Sequence, residues 1–180
     1  RIELQDIQPH FPLPDLSGHF RTGGDWGHFQ AAGIVRKIEW EDNLDDGLDL
    51  SGSEVGWGVN LSSNIKFGSN VLRLSGTFGE GIQNYMNDAP VDIGIENNFG
   101  NPNRPVEGVT IPMVSAVAFL DLNWSDRMSS TVGYSFIDID NTSGQAAGAF
   151  KKGQYALANI LFYPIPNLML GPEIQWVDRE

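Results

Sequence analysis

The sequence feature that most constrains the fold is an alternation of apolar and polar residues in the stretch from Val55 to Tyr85. In its first half, one parity is apolar and the other holds polar residues or glycine. The apolar residues are Trp57, Val59, Leu61, Ile65 and Phe67, and those between them include Gly58, Asn60, Ser62, Asn64 and Lys66. Because successive side chains of a β-strand point to opposite faces, this period of two predicts a strand with one apolar face.

A second arm of the same kind follows the residues Gly-Ser-Asn at 68–70, which predict a turn. Its apolar residues are Leu72, Leu74 and Phe78, and they alternate with Arg73, Ser75 and Thr77. Each arm lasts about 10 residues, the length that a tilted strand needs to cross a bilayer, whereas strands of soluble sandwiches usually have about 5 or 6. The length of this hairpin therefore favours a membrane-spanning β-structure.

Composition excludes several other classes of protein. With 41% hydrophobic and 19% charged residues the chain is not disordered, and its 21 glycines and 11% aromatic residues favour β-structure. No apolar run is long enough for a transmembrane helix, but a membrane barrel stays open because its strands are only half apolar. A net charge of −12 argues against binding nucleic acid, and zero cysteines leave no disulfide or thiol chemistry. Since the chain starts at Arg1 without a signal peptide, we expect a mature or excised segment.

The same alternation predicts strands along the rest of the chain. An irregular lead-in at 1–14 precedes a short strand at 15–22, a long strand at 28–41, a hairpin with arms at 114–124 and 128–136, and a last hairpin with arms at 155–163 and 168–177. The alternation reverses at the far end of the long strand. There Lys37 and Glu39 occupy positions that are apolar earlier in the strand, and Ile38 and Trp40 occupy positions that are polar earlier. We interpret this reversal as a stretch beyond the hydrocarbon layer or as a β-bulge.

The connections between the predicted strands alternate between short and long. The short ones are 23–25, 68–70, 125–126 and 164–166, and the long ones are 42–54, 86–109 and 141–152. Short turns at one end, long loops at the other and an aromatic girdle at each interface are typical of outer-membrane barrels. Trp26, Phe67, Trp124 and Tyr163 adjoin the short turns, and Trp40, Trp57, Tyr85 and Trp176 lie near the long loops. The sequence therefore predicts one all-β domain over 1–180, an antiparallel up-and-down meander of about eight strands within a larger transmembrane β-barrel.

Five long blocks carry a family resemblance. They are GDWGHFQAAGIVRKIEWE (24–41), GEGIQNYMNDAP (79–90), AFLDLNWSD (118–126), GYSFIDIDN (133–141) and GQYALANILFYPIPNLMLGPEIQW (153–176). These blocks resemble the DcaP-type trimeric porins of Gram-negative outer membranes. The resemblance implies a large barrel, assembly as a homotrimer and passage of small solutes, notably dicarboxylates. Because the family's N-terminal part and its terminal aromatic strand are missing, we expect the chain to be an internal half of such a barrel.

The candidate pore-lining residues are charged residues on the polar parity of the predicted strands. The bases Arg36, Lys66 and Arg73 belong to this parity, and so do the acids Asp121 and Glu173. Charge on the lipid face costs about 2–4 kcal/mol at mid-bilayer, so parity places all five in the lumen. The bases either contact an anionic solute or form structural pairs with the two acids.

The acidic stretch EDNLDDGLDL (41–50) suggests a calcium-binding loop, but it does not match the EF-hand pattern. Taking Asp42 as the first position of an EF-hand loop puts Gly47 at the sixth, but Leu44 stands at the third and Ser53 at the twelfth. A solvated outer loop explains the acids better.

Metal, catalytic and cofactor sites fit the sequence less well than a pore. His10, His19 and His28 lie on different segments and would have to converge to bind a metal. Hydrolysis by Asp121 and Glu173 would need carboxyl groups about 5–9.5 Å apart, whereas acids inside a barrel more often balance bases. Since no P-loop, GxGxxG or GxSxG motif is present, the sequence predicts neither an enzyme nor a cofactor.

The predicted function is passive diffusion of small hydrophilic solutes through an outer-membrane porin that contacts lipid and lipopolysaccharide. The alternative is a soluble all-β carbohydrate- or ligand-binding module, in which the apolar parity packs on a second sheet; detergent dependence separates the two. We expect the loop 86–109 to shape the pore entrance or fold partly inward, since loops of this length usually carry function.

We also expect a preference for anions despite the net charge of −12, because the acids cluster in outer loops while the bases line the wall. The loop acids are Asp42, Asp45, Asp46, Asp49, Glu54, Asp88, Asp92, Glu96 and Glu107.

Overall fold

Antiparallel strands form most of the described chain. The computed structural model describes residues 2–87 and 89–180. The strands are β1 Ile7–His10, β2 Leu16–Gly24, β3 Gly27–Asp42, β4 Gly52–Phe67, β5 Asn70–Glu80, β6 Ile93–Asn97, β7 Val106–Thr110, β8 Pro112–Ser125, β9 Met128–Ile139, β10 Lys152–Ile165, β11 Leu168–Leu170 and β12 Glu173–Arg179. A single 3₁₀ turn spans Gln83–Tyr85. No helix in the described ranges is long and apolar enough to cross a membrane.

Ten of these strands form one meandering sheet in the order β1-β3-β4-β5-β8-β9-β10-β11. β2 also pairs with β3, and β12 also pairs with β10. β1 and β2 therefore share one edge and β11 and β12 share the other, so the sheet is as wide as the predicted set of about eight strands. The predicted all-β antiparallel meander is confirmed, and so is the alternation of short turns with long connections.

One face of the sheet is apolar across its whole width. Directly paired residues share a face, and Leu72, Leu120 and Val132 are paired in this way across β5, β8 and β9. The exposed large residues of this outer face include Phe29, Val59, Leu61, Leu74, Phe78, Val114, Trp124, Val132, Ile160 and Trp176. In the described part of the chain no second sheet covers this face, because the two-stranded β6–β7 sheet packs on the opposite one.

The core lies on the opposite, inner face, at the end with the long connections. Residues 81–111, called the inward segment below, fold back over this face and carry β6 and β7. Two apolar clusters join the inward segment to the sheet. One contains Leu4, Ile38, Trp40 and Ile93, and the other contains Ile82, Ala89, Ile111, Met113 and Ile139.

This packing explains the reversed parity at the end of β3. The β3–β4 pairing runs without a register shift from Gly27↔Ile65 to Trp40↔Gly52, so the interpretation as a β-bulge is wrong. Ile38 and Trp40 point inward because the inward segment gives that face an apolar partner. Lys37 and Glu39 point outward and form an ion pair with each other.

The inward segment approaches the wall closely because β4 carries glycine at the contact. A Cβ atom on Gly56 would lie 2.6 Å from the carbonyl oxygen of Gly81 and 3.0 Å from Cγ of Arg36. Any side chain there would push the backbone of the inward segment away from the sheet.

Several predicted boundaries need correction. The lead-in 1–14 contains β1, which pairs with the end of β3. The connection predicted at 42–54 is shorter, because β4 begins at Gly52. The loop 86–109 includes β6 and most of β7, and these short strands were missed because Asn, Pro and Gly surround them. Asp88, one of the predicted loop acids, lies outside the described residues.

Candidate functional site

Four of the five predicted pore-lining residues lie together on the inner face, close to the short turns. Cross-strand pairing links Lys66 with Val71, and Val71 with Asp121. The same row continues through Thr131 on β9 and Asn159 on β10 to Glu173 on β12. Arg73 lies on β5 two residues beyond Val71 and therefore on the same face. Because parity is strict in an unbroken antiparallel sheet, alternation in the sequence was sufficient to place these four side chains.

Side-chain hydrogen bonds connect most of this row into a polar chain. Nε of Arg73 lies 2.6 Å from Oδ2 of Asp121, and the Thr131 hydroxyl donates to the other oxygen of that carboxylate at 3.0 Å. The Asn159 side chain accepts from the backbone N–H of Thr131 at 2.8 Å and donates to Glu173 at 3.3 Å. The chain holds the acids in fixed positions on a face that water can reach.

The two bases of this row differ in their partners. Arg73 is paired with Asp121, although its side chain is still 53% exposed. Lys66 is exposed and makes no ion pair with any carboxylate among residues 2–87 and 89–180. Lys66 therefore carries the less compensated positive charge, and Arg73 is partly neutralised by its acid.

Asp121 and Glu173 do not form a catalytic pair. They lie on β8 and β12, separated by β9 and β10, which corresponds to about 14 Å at the usual spacing between strands. Paired carboxylates of glycosidases are about 5–9.5 Å apart. The described residues also contain no cluster of three or more His, Cys, Asp or Glu side chains able to hold a metal ion.

Arg36 shares the inner face, but it is buried beneath the inward segment instead of lining open space. Its Nη1 donates to the side-chain oxygen of Asn84 at 2.5 Å and to the carbonyl of Gly81 at 3.3 Å. The same nitrogen lies 3.4 Å from Oδ1 of Asp92, whose side chain is only 1% exposed. That oxygen also accepts the backbone N–H of Asn84 at 2.9 Å. One guanidinium thus holds three residues of the inward segment against β3.

A second group of contacts surrounds the same guanidinium. Nε of Arg36 lies 3.3 Å from Asp15, at the start of β2, and the Tyr85 ring centroid lies 5.4 Å from its Cζ. The Tyr85 hydroxyl donates to Asp15. This hydrogen bond raises the pKa of the Tyr85 phenol, and burial raises it further by a smaller amount. The phenol therefore stays protonated and acts as a donor. Arg36, Asp15, Asn84, Tyr85 and Asp92 are called the Arg36 clamp below.

Two inner-face bases were not among the predicted residues. Arg21 on β2 pairs with Gln30 and so faces inward. The alternation of Leu16, Gly18 and Phe20 with Ser17, His19 and Arg21 would have identified it. Arg179, on the inner face of β12, shares the parity of Glu173 and was missed because the predicted strand ends at 177, two residues before it.

Comparison with known proteins identifies the fold. No family model matches the chain, and no curated protein matches it. Among solved structures, the chain is similar to the crystal structure of the outer membrane channel DcaP of Acinetobacter baumannii, with a TM-score of 0.76 and 17% sequence identity. The match covers 99% of this chain and 49% of that channel, so the chain spans about half its length. The resemblance predicted from the sequence is confirmed at the level of the fold, an antiparallel sheet that matches about half of a porin-type β-barrel.

Proposed function

We propose that this chain forms part of an outer-membrane channel for passive diffusion of small hydrophilic solutes. The observation that carries the proposal is the difference between the two faces of the sheet. The outer face exposes apolar side chains across every long strand, over an area much larger than soluble monomers tolerate. The inner face carries polar and charged side chains, and the inward segment narrows the space beside it. An apolar exterior around a polar lumen is the arrangement of membrane barrels.

The lumen of this channel favours anions. Arg21, Lys66 and Arg73 lie on the inner face of β2, β4 and β5, and only Arg73 is paired with an acid in the described residues. Of the inner-face acids, Asp121 and Glu173 lie on β8 and β12, and both are held by hydrogen bonds. Glu54, predicted as an outer-loop acid, lies instead on the inner face of β4 at the end with the long connections, away from Lys66 and Arg73. Uncompensated cations on one side of a low-dielectric wall raise the local concentration of anionic solutes.

We propose dicarboxylates as the solutes. The family resemblance and this cationic wall together support that proposal. Arg73 and Lys66 occupy diagonal positions on neighbouring strands, about 7–8 Å apart at Cα, so they can contact two separate carboxylate groups. We propose membrane lipid and lipopolysaccharide as the environment of the outer face, and a homotrimer as the assembled state. The open edges β1/β2 and β11/β12 join further strands of a complete barrel.

The test compares two lysines on opposite faces of the sheet. Lys66 faces inward, whereas Lys37 shares the outer face with its partner Val55. The complete open reading frame is reconstituted in planar bilayers under a KCl gradient, with succinate flux measured in vesicles. Lys66→Glu should move the reversal potential towards the cation equilibrium potential and slow succinate, while Lys37→Glu should do neither.

Equal reversal potentials for the two variants would contradict the anion preference. A protein that opens no pores and stays monodisperse without detergent would contradict the channel itself. That result would favour the soluble binding module instead.

A further inference from the structure

A cavity of about 660 Å³ lies between the inner face of β8–β12 and two connections that fold over it. Its floor includes Ser115 and Val117 on β8, Ser135 and Ile137 on β9, Tyr155 on β10 and Arg179 on β12. Met86 and Asn87 of the inward segment and Phe150 of the connection before β10 border it from above. Ligand pockets commonly have volumes of about 300–1,000 Å³, so this space suits a small organic solute.

Arg179 is the cation of this cavity, and its position is fixed. Its backbone pairs with Gly153 on β10, and its Cζ lies 4.8 Å from the centroid of the Phe150 ring. The ring in turn packs on Gly153, where a Cβ atom would lie 3.1 Å from Cζ of Phe150. The Asn141 side chain donates to the carbonyl oxygens of Ala149 and Phe150, both at 3.3 Å, and so holds this part of the connection in place.

Among residues 2–87 and 89–180, no carboxylate forms an ion pair with the guanidinium of Arg179. The neighbouring Asp178 also borders the cavity, but its side chain points to the outer face, where it accepts from Gln154. A guanidinium has donors in a planar fork that matches a carboxylate, and stacking on an aromatic ring leaves this fork open.

The remaining lining is suited to an apolar body with one polar end. Val117, Ile137 and Met86 provide aliphatic surface beside the Phe150 ring. The hydroxyls of Ser135 and Tyr155 make no side-chain hydrogen bond to another described residue, so they can donate to the oxygens of a solute.

We propose that this cavity is a binding site for small monocarboxylates with an apolar, preferably aromatic, body. Arg179 binds the carboxylate, the two hydroxyls orient it, and the apolar lining accepts the ring. The proposal rests on the proposed channel function. It adds a solute class different from the dicarboxylates assigned to Lys66 and Arg73, because Arg179 is the one cation among the described residues that line the cavity.

The test uses benzoate and acetate as probes on single channels of the complete open reading frame in KCl. Benzoate should reduce the current at a lower concentration than acetate does. Arg179→Gln should raise the half-blocking concentration of benzoate about tenfold, because a charge-assisted hydrogen bond is lost. Arg127→Gln is the matched control, since Arg127 lies on the turn after β8 and does not line this cavity. Tyr155→Phe should have a smaller effect in the same direction as Arg179→Gln.

The outcomes separate this site from the channel. A protein that opens no pores overturns the proposed function. Normal pores that benzoate and acetate block equally, or in which Arg179→Gln behaves as Arg127→Gln does, overturn the site and leave the channel standing. If Arg179→Gln fails to assemble, Phe150→Leu keeps the charge and removes the ring; it should weaken the benzoate block, and an unchanged block overturns the site.

Discussion

Arg36 and Arg73 lie on the same face of the sheet, yet their surroundings differ completely. Arg73 is 53% exposed and has one acid partner. Arg36 is buried, and its Nη1 contacts Gly81, Asn84 and Asp92 of the inward segment. A surface ion pair contributes about 0–1 kcal/mol, whereas removing one partner of a buried pair costs about 3–5 kcal/mol because the other charge stays uncompensated. Arg36 is therefore a positioning residue of the inward segment, and the exposed bases are the ones that solutes can reach.

The matched substitutions Arg36→Met and Arg73→Met test this difference. Arg36→Met removes the buried donor that contacts Gly81, Asn84 and Asp92, and we expect the free energy of unfolding to fall by about 3–5 kcal/mol. Arg73→Met should lower it by about 1 kcal/mol or less. Urea unfolding in detergent micelles, followed by tryptophan fluorescence, measures both values. Similar losses for the two variants would mean that the Arg36 clamp does not hold the inward segment.

The sequence identified which residues face inward, but it did not identify which of them are covered. Parity depends only on neighbouring residues, so the face of Lys66, Arg73 and Asp121 could be read from their spacing. The partners of Arg36 come from positions 15, 81, 84 and 92, and no local pattern links them to β3. Burial of a charged residue is a long-range property, which is why Arg36 was grouped with the exposed bases.

At the scale of elements, the inward segment is the part that departs from a plain meander. The β6–β7 hairpin supplies Ile93 to the core, and its ends are tied to neighbouring connections. Asn97 donates to Ser143, and the Arg104 side chain donates to the carbonyl oxygens of Asp49 and Ser51. The sequence predicted a functional loop here from its length alone. It could not predict the hairpin, because strands of five residues bounded by Asn, Pro and Gly give too short an alternation.

Gly56→Ala should move the inward segment away from the wall, towards the pore axis, and so narrow the pore. The new Cβ would lie 2.6 Å from the Gly81 carbonyl, and a backbone atom cannot rotate away as a side chain can. Gly76→Ala on β5 is the control, because its Cβ would meet only the Ser115 carbonyl at 3.8 Å. We expect a lower single-channel conductance for Gly56→Ala and an unchanged value for Gly76→Ala. If both variants conduct alike, the inward segment does not limit the current.

At the scale of the whole molecule, the sheet has one apolar and one polar face. The alternation that makes one face apolar persists over strands such as β3 and β4, which have 16 residues each. In a membrane, strands of this length would extend beyond the hydrocarbon layer. The inward segment packs against one end of them. The overall fold was therefore predictable from periodicity and loop lengths, while the covering of the inner face was not, because it needs contacts between distant parts of the chain.

The last prediction compares adjacent residues in the middle of β4. Leu61 points outward and is exposed, whereas Ser62 points inward. If the outer face lies in lipid, Leu61→Arg places a charge in hydrocarbon and should cost about 2–4 kcal/mol near the midplane. Ser62→Arg should cost about 0.5 kcal/mol or less, because it adds a hydrated charge to the lumen. Both variants of the complete open reading frame are folded into phospholipid vesicles and titrated with urea. If the two substitutions lower the free energy of unfolding equally, both faces of the sheet lie in water. That result would contradict both the membrane location and the proposed channel.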